Sequence, residues 1–288
     1  YNGGAIGLID GLTVQTPTDG SGALASTDAM GRHIWNDQSY GAGIQAYGAG
    51  SNIVLGSHVI IHGFYYSMVA DNNGGIDAPQ GGISMSLSGD VNAMARGGGV
   101  IVCTPCTATD ASDYTDPTNT LGANYDAERG GSLYIDGSTG YKSLIAGVVG
   151  LTGGHIWAHK LILNGGLVST IGQGVWITEN SSAEFSGSEV SGYNIGVNVA
   201  NGGYADLDSC NIHANAIGIQ ADGGRVTGRA VIIRNNAIYG IQALHQGSVL
   251  MFNTYSNMNK NGDNFSIQKK GTEGISETVY AMSSIDVQ

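Results

Sequence analysis

Gly174-Val175-Trp176-Ile177 is followed at a fixed spacing by three similar tetrapeptides, Gly196-Val197-Asn198-Val199, Gly218-Ile219-Gln220-Ala221 and Gly240-Ile241-Gln242-Ala243. The glycines stand at positions 174, 196, 218 and 240, so the period is 22 residues, and Gly262 in Gly262-Asp263-Asn264-Phe265 continues it. In each unit an apolar, a polar and an apolar residue follow the glycine, which is the pattern of a strand with one buried face. A repeat of this length that contains only strands predicts a β-solenoid.

The same alternation predicts which side chains enter the core of the solenoid. Residues on either side of each polar position are expected to point inward and to stack from coil to coil, namely Ile177, Val197, Val199, Ile219 and Ile241. Leu207 and Cys210 are expected to be buried later in their coil. The polar positions between the stacks, Trp176, Asn198 and Gln220, are expected to face outward.

Asparagines recur at a second place in the coil, where Asn194, Asn215 and Asn236 come just before the next strand. At such a corner the amides can cap the turn and hydrogen-bond along the stack. Stacked aliphatic residues with an asparagine ladder resemble the pectate-lyase-like superfamily over residues 131–265. That resemblance implies an all-β fold, a right-handed parallel β-helix with about 22 residues per coil.

The domain organisation follows from where this pattern holds. We expect a single β-helix domain over residues 1–265, interrupted at about 103–130 by a long acid-rich loop that contains Asp126 and Glu128. Residues 266–288 differ in composition and are expected to form a C-terminal cap or a linker.

Composition narrows the classes of function. Asp and Glu number 23 and Lys and Arg 11, which gives a net charge of −12 and argues against nucleic acid as a partner. No apolar stretch reaches the length of a membrane span, so no membrane insertion is expected. Neither the seven histidines nor the three cysteines, Cys103, Cys106 and Cys210, have the spacing of a metal site, and no metal or cofactor is predicted.

Alignment of the coils brings carboxylates together on an outward face. Asp206 follows Glu184 by one coil, and Thr227 continues the column of Asp206. Two residues further along the strands, a second outward column is expected to contain Ser186, Asp208, Arg229 and Met251. The expected separations of roughly 5 to 8 Å fit the paired carboxyl groups of glycosidases, which predicts Glu184, Asp206 and Asp208 as catalytic residues. Arg229 either supports one of these carboxylates or pairs with Asp208, and solvated surface acids are the alternative interpretation of the group.

Outward aromatic residues are the second indication of a carbohydrate ligand. Trp176 and Trp157 are expected on the surface, where an indole offers a flat apolar face to a sugar ring, and Trp176 is expected to stack a sugar near the three carboxylates. Asn198 and Gln220 supply neutral donors and acceptors for sugar hydroxyls, and together with Arg229 they complete the predicted substrate-binding residues.

The polar uncharged surface and the irregular coil lengths resemble the β-helix domains of bacteriophage tailspikes. That resemblance implies an extracellular protein of the virion tail, a homotrimer, that binds a capsule or O-antigen polysaccharide of a bacterium and hydrolyses or otherwise cleaves it. The alternative is a non-catalytic solenoid, either an adhesin or a structural virion spike.

Overall fold

The computed structural model describes residues 4–15, 24–27, 33–35, 42–86, 88, 90–109, 122–141, 146–166, 172–253, 263–267 and 284–287. Within these residues the chain forms three parallel sheets of 11, 9 and 10 strands and one antiparallel hairpin. The hairpin joins β3 (Leu24–Thr27) to β4 (His33–Trp35).

The strands are numbered in chain order, and each coil between β5 and β28 contributes one strand to each sheet. Sheet 1 contains β1 (Ala5–Ile9), β6 (Asn52–Leu55), β9 (Gly75–Ala78), β12 (Val100–Cys103), β15 (Ser132–Asp136), β18 (His155–His159), β21 (Ser182–Ser186), β24 (Tyr204–Asp208), β27 (Arg225–Arg229), β30 (Ser248–Phe252) and β32 (Ser284–Val287). Sheet 2 contains β2 (Thr13–Gln15), β7 (Val59–His62), β10 (Ile83–Ser86), β13 (Cys106–Thr109), β16 (Thr139–Tyr141), β19 (Ile162–Asn164), β22 (Glu189–Ser191), β25 (Asn211–His213) and β28 (Ile232–Arg234). Sheet 3 contains β5 (Ala42–Tyr47), β8 (Tyr66–Asp71), β11 (Val91–Arg96), β14 (Ala123–Glu128), β17 (Ala146–Leu151), β20 (Gln173–Ile177), β23 (Ile195–Ala200), β26 (Ile217–Asp222), β29 (Tyr239–Leu244) and β31 (Asp263–Ile267).

From β5 to β30 the chain visits the three sheets in a fixed order, and every pair of neighbouring strands within these sheets runs parallel. One coil goes from β23 in sheet 3 through β24 in sheet 1 and β25 in sheet 2, and the next begins at β26. This path confirms the predicted all-β parallel β-helix, with roughly 23 residues per turn. Coil length varies because the turns between strands differ in length.

The interior of the coil is the hydrophobic core. The residues predicted to point inward, Ile177, Val197, Val199, Leu207, Ile219 and Ile241, are each at most 1% exposed, which confirms the predicted facing. Cys210 is buried as predicted, and it is a free cysteine, as are the buried Cys103 and Cys106. Ile219 stacks between Val197 and Ile241 of the neighbouring strands, as the 22-residue period predicts.

The period fails at the last repeat. Phe265, and not Asp263, is the partner of Ile241, while Asp263 pairs with Tyr239. The chain between β29 and β31 is therefore two residues longer than the sequence spacing of the glycines indicates.

The turn from sheet 3 to sheet 1 explains much of the glycine content. Thr152 and Gly153 have positive φ values of 48° and 77°, and Gly154 then passes so close to the preceding coil that a Cβ would clash with the carbonyl oxygen of Ala127. Gly131 is confined in the same way by the carbonyl of Ala95. A side chain at this third position would push the coils apart.

An asparagine ladder stabilises the corner before sheet 3, but it contains two of the three predicted residues. The Nδ2 group of Asn215 donates to Oδ1 of Asn236 at 3.2 Å, and both residues are buried. The next position in the stack is Tyr193, whose backbone N–H donates to Oδ1 of Asn215 at 3.0 Å. Asn194 therefore lies one residue beyond the ladder, and the prediction for it was wrong.

The structure also revises the boundaries of the predicted segments. Residues 106–109 and 123–128 of the predicted loop at about 103–130 are the strands β13 and β14, and residues 110–121 lie outside the described residues. Asp126 and Glu128 thus belong to sheet 3. Within the predicted cap at 266–288, β32 pairs with β30, so sheet 1 continues beyond residue 265.

Candidate functional site

One outward column of sheet 1 carries aromatic residues and then carboxylates on successive strands. Its members, each the partner of the next, are Tyr134, Trp157, Glu184, Asp206, Thr227 and Leu250. The order Glu184, Asp206, Thr227 confirms the alignment predicted from the repeat. Neighbouring strands lie about 4.8 Å apart, so the two carboxylates and the two aromatic rings occupy four consecutive rungs.

A second outward column runs two residues further along the same strands. It contains Asp136, His159, Ser186, Asp208, Arg229 and Phe252. The predicted run from Ser186 to Arg229 is confirmed, but Phe252 continues it in place of Met251. The turn at Gly223-Gly224 is one residue shorter than the turn at His245-Gln246-Gly247, so Met251 faces the core.

The carboxylates of Asp206 and Asp208 border an open depression in the surface. Its volume is about 360 Å³, and it is lined by Asp206, Asp208, Thr227, Gly228, Arg229 and Phe252. Arg229 is the strand partner of Asp208, yet within the described residues their side chains form no ion pair. The guanidinium on the rim is thus available to a ligand, which argues against a simple surface pair.

A chain of hydrogen bonds orients Asp206. Thr227 donates its hydroxyl proton to Oδ1 of Asp206 at 2.7 Å, and the Tyr204 hydroxyl lies 2.9 Å from Thr227 Oγ1. With the Thr227 proton committed to the carboxylate, Tyr204 is the donor to Thr227. Repeat alignment placed Thr227 beside Asp206 but gave no sign of Tyr204, whose position on β24 depends on the turn that precedes it.

The aromatic residues beside the carboxylates are Trp157 and Tyr134. Trp157, the strand partner of Glu184, is 37% exposed, and Tyr134 on the rung before it is 41% exposed, so each presents a face to solvent. Trp157 was predicted as a surface aromatic. Tyr134 was missed because nothing in the sequence shows that it shares an outward column with Trp157.

The other predicted binding residues lie on a different sheet. Trp176, Asn198 and Gln220 form a column of sheet 3, so the prediction that Trp176 lies near the carboxylates was wrong. Trp176 is half-buried against an apolar cluster, and Asn198 is buried with its Nδ2 group donating to Gln173 Oε1 at 2.7 Å. The repeat specifies inward or outward facing, but it does not specify which of three sheets a residue shares with another.

Sheet 3 has an apolar outer face over part of its length. The buried residues of this outer cluster are Val69, Val91, Met94, Ala123, Ala146 and Val149. Asp126 lies between Met94 and Val149 in one column, is fully buried, and neither of its carboxyl oxygens has a hydrogen-bond partner among the described residues. Burial raises the pKa of Asp126 well above its usual range, and the charges of Glu128 and Asp90 raise it further, while Arg96 lowers it.

The raised pKa of Asp126 predicts that the free energy of unfolding falls as the pH rises. The folded protein holds this proton more tightly than the unfolded chain, so stability is lost from the unfolded pKa of about 4 up to the folded pKa, by at most about 1.4 kcal/mol per pH unit. Asp126→Asn removes this dependence, and in denaturant titrations between pH 4 and 9 its advantage over the parent protein should grow with pH. Val149→Ala, on the same face, should destabilise equally at every pH, and a constant difference for Asp126→Asn would contradict the assignment.

Three histidines among the described residues lie within hydrogen-bond distance of a carboxylate of the preceding coil. His159 Nδ1 lies 2.8 Å from Asp136 Oδ1, and the same relation joins His213 to Glu189 at 3.0 Å and His245 to Asp222 at 2.6 Å. These pairs could not be predicted from the sequence, because their spacing of 23 or 24 residues departs from the 22-residue period. Among the described residues no group of three or more His, Cys, Asp or Glu could hold a metal ion.

The fold and the outward columns define a parallel β-solenoid with a polar, aromatic-bearing face. A model of the family described as "Right handed beta helix region" matches residues 128–277. The chain therefore belongs to the right-handed β-helix family. No helix long and apolar enough to cross a membrane occurs in the part of the chain that the structure describes.

Two solved structures with similar chain paths are modules of enzymes from Azotobacter vinelandii. The A-module of mannuronan C-5 epimerase AlgE6 is 12% identical, at a TM-score of 0.35, over 99% of this chain and 91% of that chain. The A-module of mannuronan C-5 epimerase AlgE4 is 14% identical, at a TM-score of 0.33, over 95% of this chain and 91% of that chain. No curated protein matches the sequence.

Proposed function

We propose that this chain binds a bacterial surface polysaccharide along the outer face of sheet 1 and cleaves it there. The observation that carries the proposal is the column in which Tyr134 and Trp157 precede Glu184 and Asp206 on consecutive strands. Exposed rings supply stacking surfaces, and the adjoining carboxylates supply proton donors and acceptors. A polymer that follows the helix axis meets both kinds of group in succession.

The carboxylates support hydrolysis of a glycosidic bond. Glu184 and Asp206 are one rung apart, and Asp208 lies two residues along the strand at the edge of the depression. Carboxyl separations of about 5 to 9.5 Å serve retaining or inverting hydrolysis. Asp206 accepts a hydrogen bond from Thr227, and we assign it the role of the ionised carboxylate. Glu184 or Asp208 then takes the role of the acid.

The same proposal includes a biological setting. The polysaccharide is a capsule or O-antigen, a repeating polymer at the bacterial surface. The protein that binds it is an extracellular tailspike of a bacteriophage virion tail. A homotrimer is the closed assembly that would cover part of the flat sheet faces. Light scattering of the intact protein tests the homotrimer, and a mass of 29.5 kDa, that of one chain, at micromolar concentration would contradict it.

A panel of purified capsular and O-antigen polysaccharides tests both parts of the proposal. Binding by calorimetry together with new reducing ends would support a depolymerase. Binding without new ends would favour the alternative, a non-catalytic adhesin or structural spike, and no binding to any member would contradict the proposal.

Trp157→Ala is expected to weaken binding of the recognised polysaccharide about tenfold, because an exposed indole that stacks on a sugar contributes on the order of 1 kcal/mol. Trp176→Ala is the matched control, since this indole lies on sheet 3 against apolar side chains. Calorimetric titration measures both variants. Equal losses in the two, or a loss in Trp176→Ala alone, would place the binding face elsewhere.

A further inference from the structure

A second group of reactive side chains lies on sheet 1, beside the column of Tyr134 and Trp157. Asp136, His159 and Ser186 occupy three successive rungs of one outward column. The Nδ1 atom of His159 is 2.8 Å from Oδ1 of Asp136. A carboxylate on Nδ1 fixes the orientation and tautomer of the imidazole and directs proton transfer to Nε2.

Ser186 stands on the next rung, as the strand partner of His159. The two Cα atoms of such partners are about 4.8 Å apart, which brings a hydroxyl and an imidazole within reach of each other. Ser186 is half-buried, and its hydroxyl has no hydrogen-bond partner among the described residues. A hydroxyl that is not used in the structure and lies beside an oriented base is suited to act as a nucleophile.

Lys160 brings a positive charge to the same place. It follows His159 in a turn with φ of 51°, and its Cγ lies 3.8 Å from the position of a Cβ on Gly187, the residue after Ser186. The aliphatic stem of Lys160 thus lies beside the turn that follows Ser186. An ammonium group there can stabilise negative charge on an oxygen of a substrate held at Ser186.

Trp157 provides the adjoining surface for a sugar ring. Its ring centroid is 6.1 Å from that of His159, and it precedes His159 by two residues on the same face of β18. A sugar stacked on Trp157 would therefore present a substituent to His159 and Ser186.

We propose that Asp136, His159 and Ser186 form a serine-hydrolase triad that removes O-acyl groups, such as acetyl esters, from a glycan bound on sheet 1. This activity goes beyond the proposed cleavage of the polymer and uses none of Glu184, Asp206 and Asp208. Its substrate class is a carboxylic ester of a sugar hydroxyl, and its co-substrate is water.

The reaction proceeds in two steps. Ser186 Oγ forms a bond to the acyl carbon while its proton passes to His159 Nε2, and Lys160 stabilises the oxyanion. The bond from the acyl carbon to the sugar oxygen then breaks, and His159 returns the proton to that oxygen. Water attacks the acyl-serine, gives a proton to His159, and releases a carboxylic acid and Ser186 with its proton restored.

The same two strands contain a second serine–histidine pair, Ser182 with His155, that has no carboxylate beside the histidine. Ser182 Oγ is 2.8 Å from His155 Nδ1, but the partner of His155 on the preceding rung is Ser132, which is no carboxylate. Ser182 and Ser186 lie on one strand, face the same way and are both half-buried. Ser182→Ala is therefore a control for Ser186→Ala in folding and in surface chemistry.

The test uses p-nitrophenyl acetate as substrate and an alkyl fluorophosphonate as covalent probe on the intact protein. We expect saturable hydrolysis, a probe adduct located at Ser186 by mass spectrometry, loss of both in Ser186→Ala, and retention of both in Ser182→Ala. His159→Asn should lower hydrolysis by at least about 100-fold, the lower range for a lost general base. Labelling of the parent protein needs no variant, so the result does not depend on how Ser186→Ala folds.

An adduct at Ser182, no adduct at any serine, or equal hydrolysis by the parent protein and Ser186→Ala would overturn the proposal. Since p-nitrophenyl acetate contains no glycan, these outcomes are independent of the polysaccharide panel. Release of acetate from an O-acetylated polysaccharide without new reducing ends would separate this activity from polymer cleavage.

Discussion

Asp206→Asn is expected to lower the rate of glycan cleavage by at least about 100-fold while leaving polysaccharide binding in place. Loss of an acid–base or ionised carboxylate group costs about 10² to 10⁴ in rate. The amide keeps the shape of the side chain, and its oxygen still accepts the hydrogen bond that Thr227 gives to Asp206 at 2.7 Å. The measurement is new reducing ends per unit time on a polysaccharide that the parent protein cleaves, with calorimetry for binding.

Glu189→Gln is a suitable control for this experiment. Glu189 is an outward carboxylate of sheet 2, paired with His213, and it lies on a different face from Asp206. The control should cleave at the parent rate. If Asp206→Asn and Glu184→Gln both cleave at the parent rate as well, the assignment of the carboxylates on sheet 1 is wrong.

Ile219→Asp is expected to unfold the protein. Ile219 is fully buried between Val197 and Ile241 of the neighbouring coils, so the carboxylate would have no partner and no solvent. An unpaired buried charge costs several kcal/mol, which is comparable to the 5–15 kcal/mol that typically stabilises a domain. Circular dichroism should lose its β signal, and thermal melting should lose its cooperative transition.

Two milder changes at the same place separate charge from position. Ile219→Val removes one buried methylene and should cost about 0.5–1.5 kcal/mol. Gln220→Asp places the same charge on the next residue, which faces outward on sheet 3, and should change stability by far less than Ile219→Asp. A folded, cooperatively melting Ile219→Asp would show that Ile219 does not point into the core.

The sequence was sufficient to predict which side chains of a strand point inward and which point outward. This explains which parts of the site could be predicted. Glu184, Asp206 and Asp208 share a face because the turns before β21 and β24 keep the 22-residue spacing. Beyond Gly223-Gly224 the same arithmetic fails by one residue, and a shift of one exchanges the faces of a strand, so Phe252 took the place predicted for Met251.

The sequence did not reveal which of the three sheets an outward residue lies on. Nor did it reveal which residues pair between coils of unequal length. Trp176 and Trp157 are both outward, but only the fold shows that Trp157 shares a column with Glu184. Asp126 stands in an acid-rich stretch that is typical of a loop, and its burial depends on an apolar outer face that alternation alone does not reveal. The pairing of Asp136 with His159 likewise requires the length of one coil to be known.

The coil is also a unit of length along the surface that carries Tyr134, Trp157, Glu184 and Asp206. Because each coil adds one rung of about 4.8 Å, the distance between a stacking ring and a carboxylate can change only in whole steps. Duplication or loss of a complete coil between them would lengthen or shorten this distance by one step and would leave the contacts between coils away from the junction unchanged. Gain or loss of whole coils in evolution could thus match the spacing of these side chains to glycans of different repeat length, without a change in the sequence of any single turn.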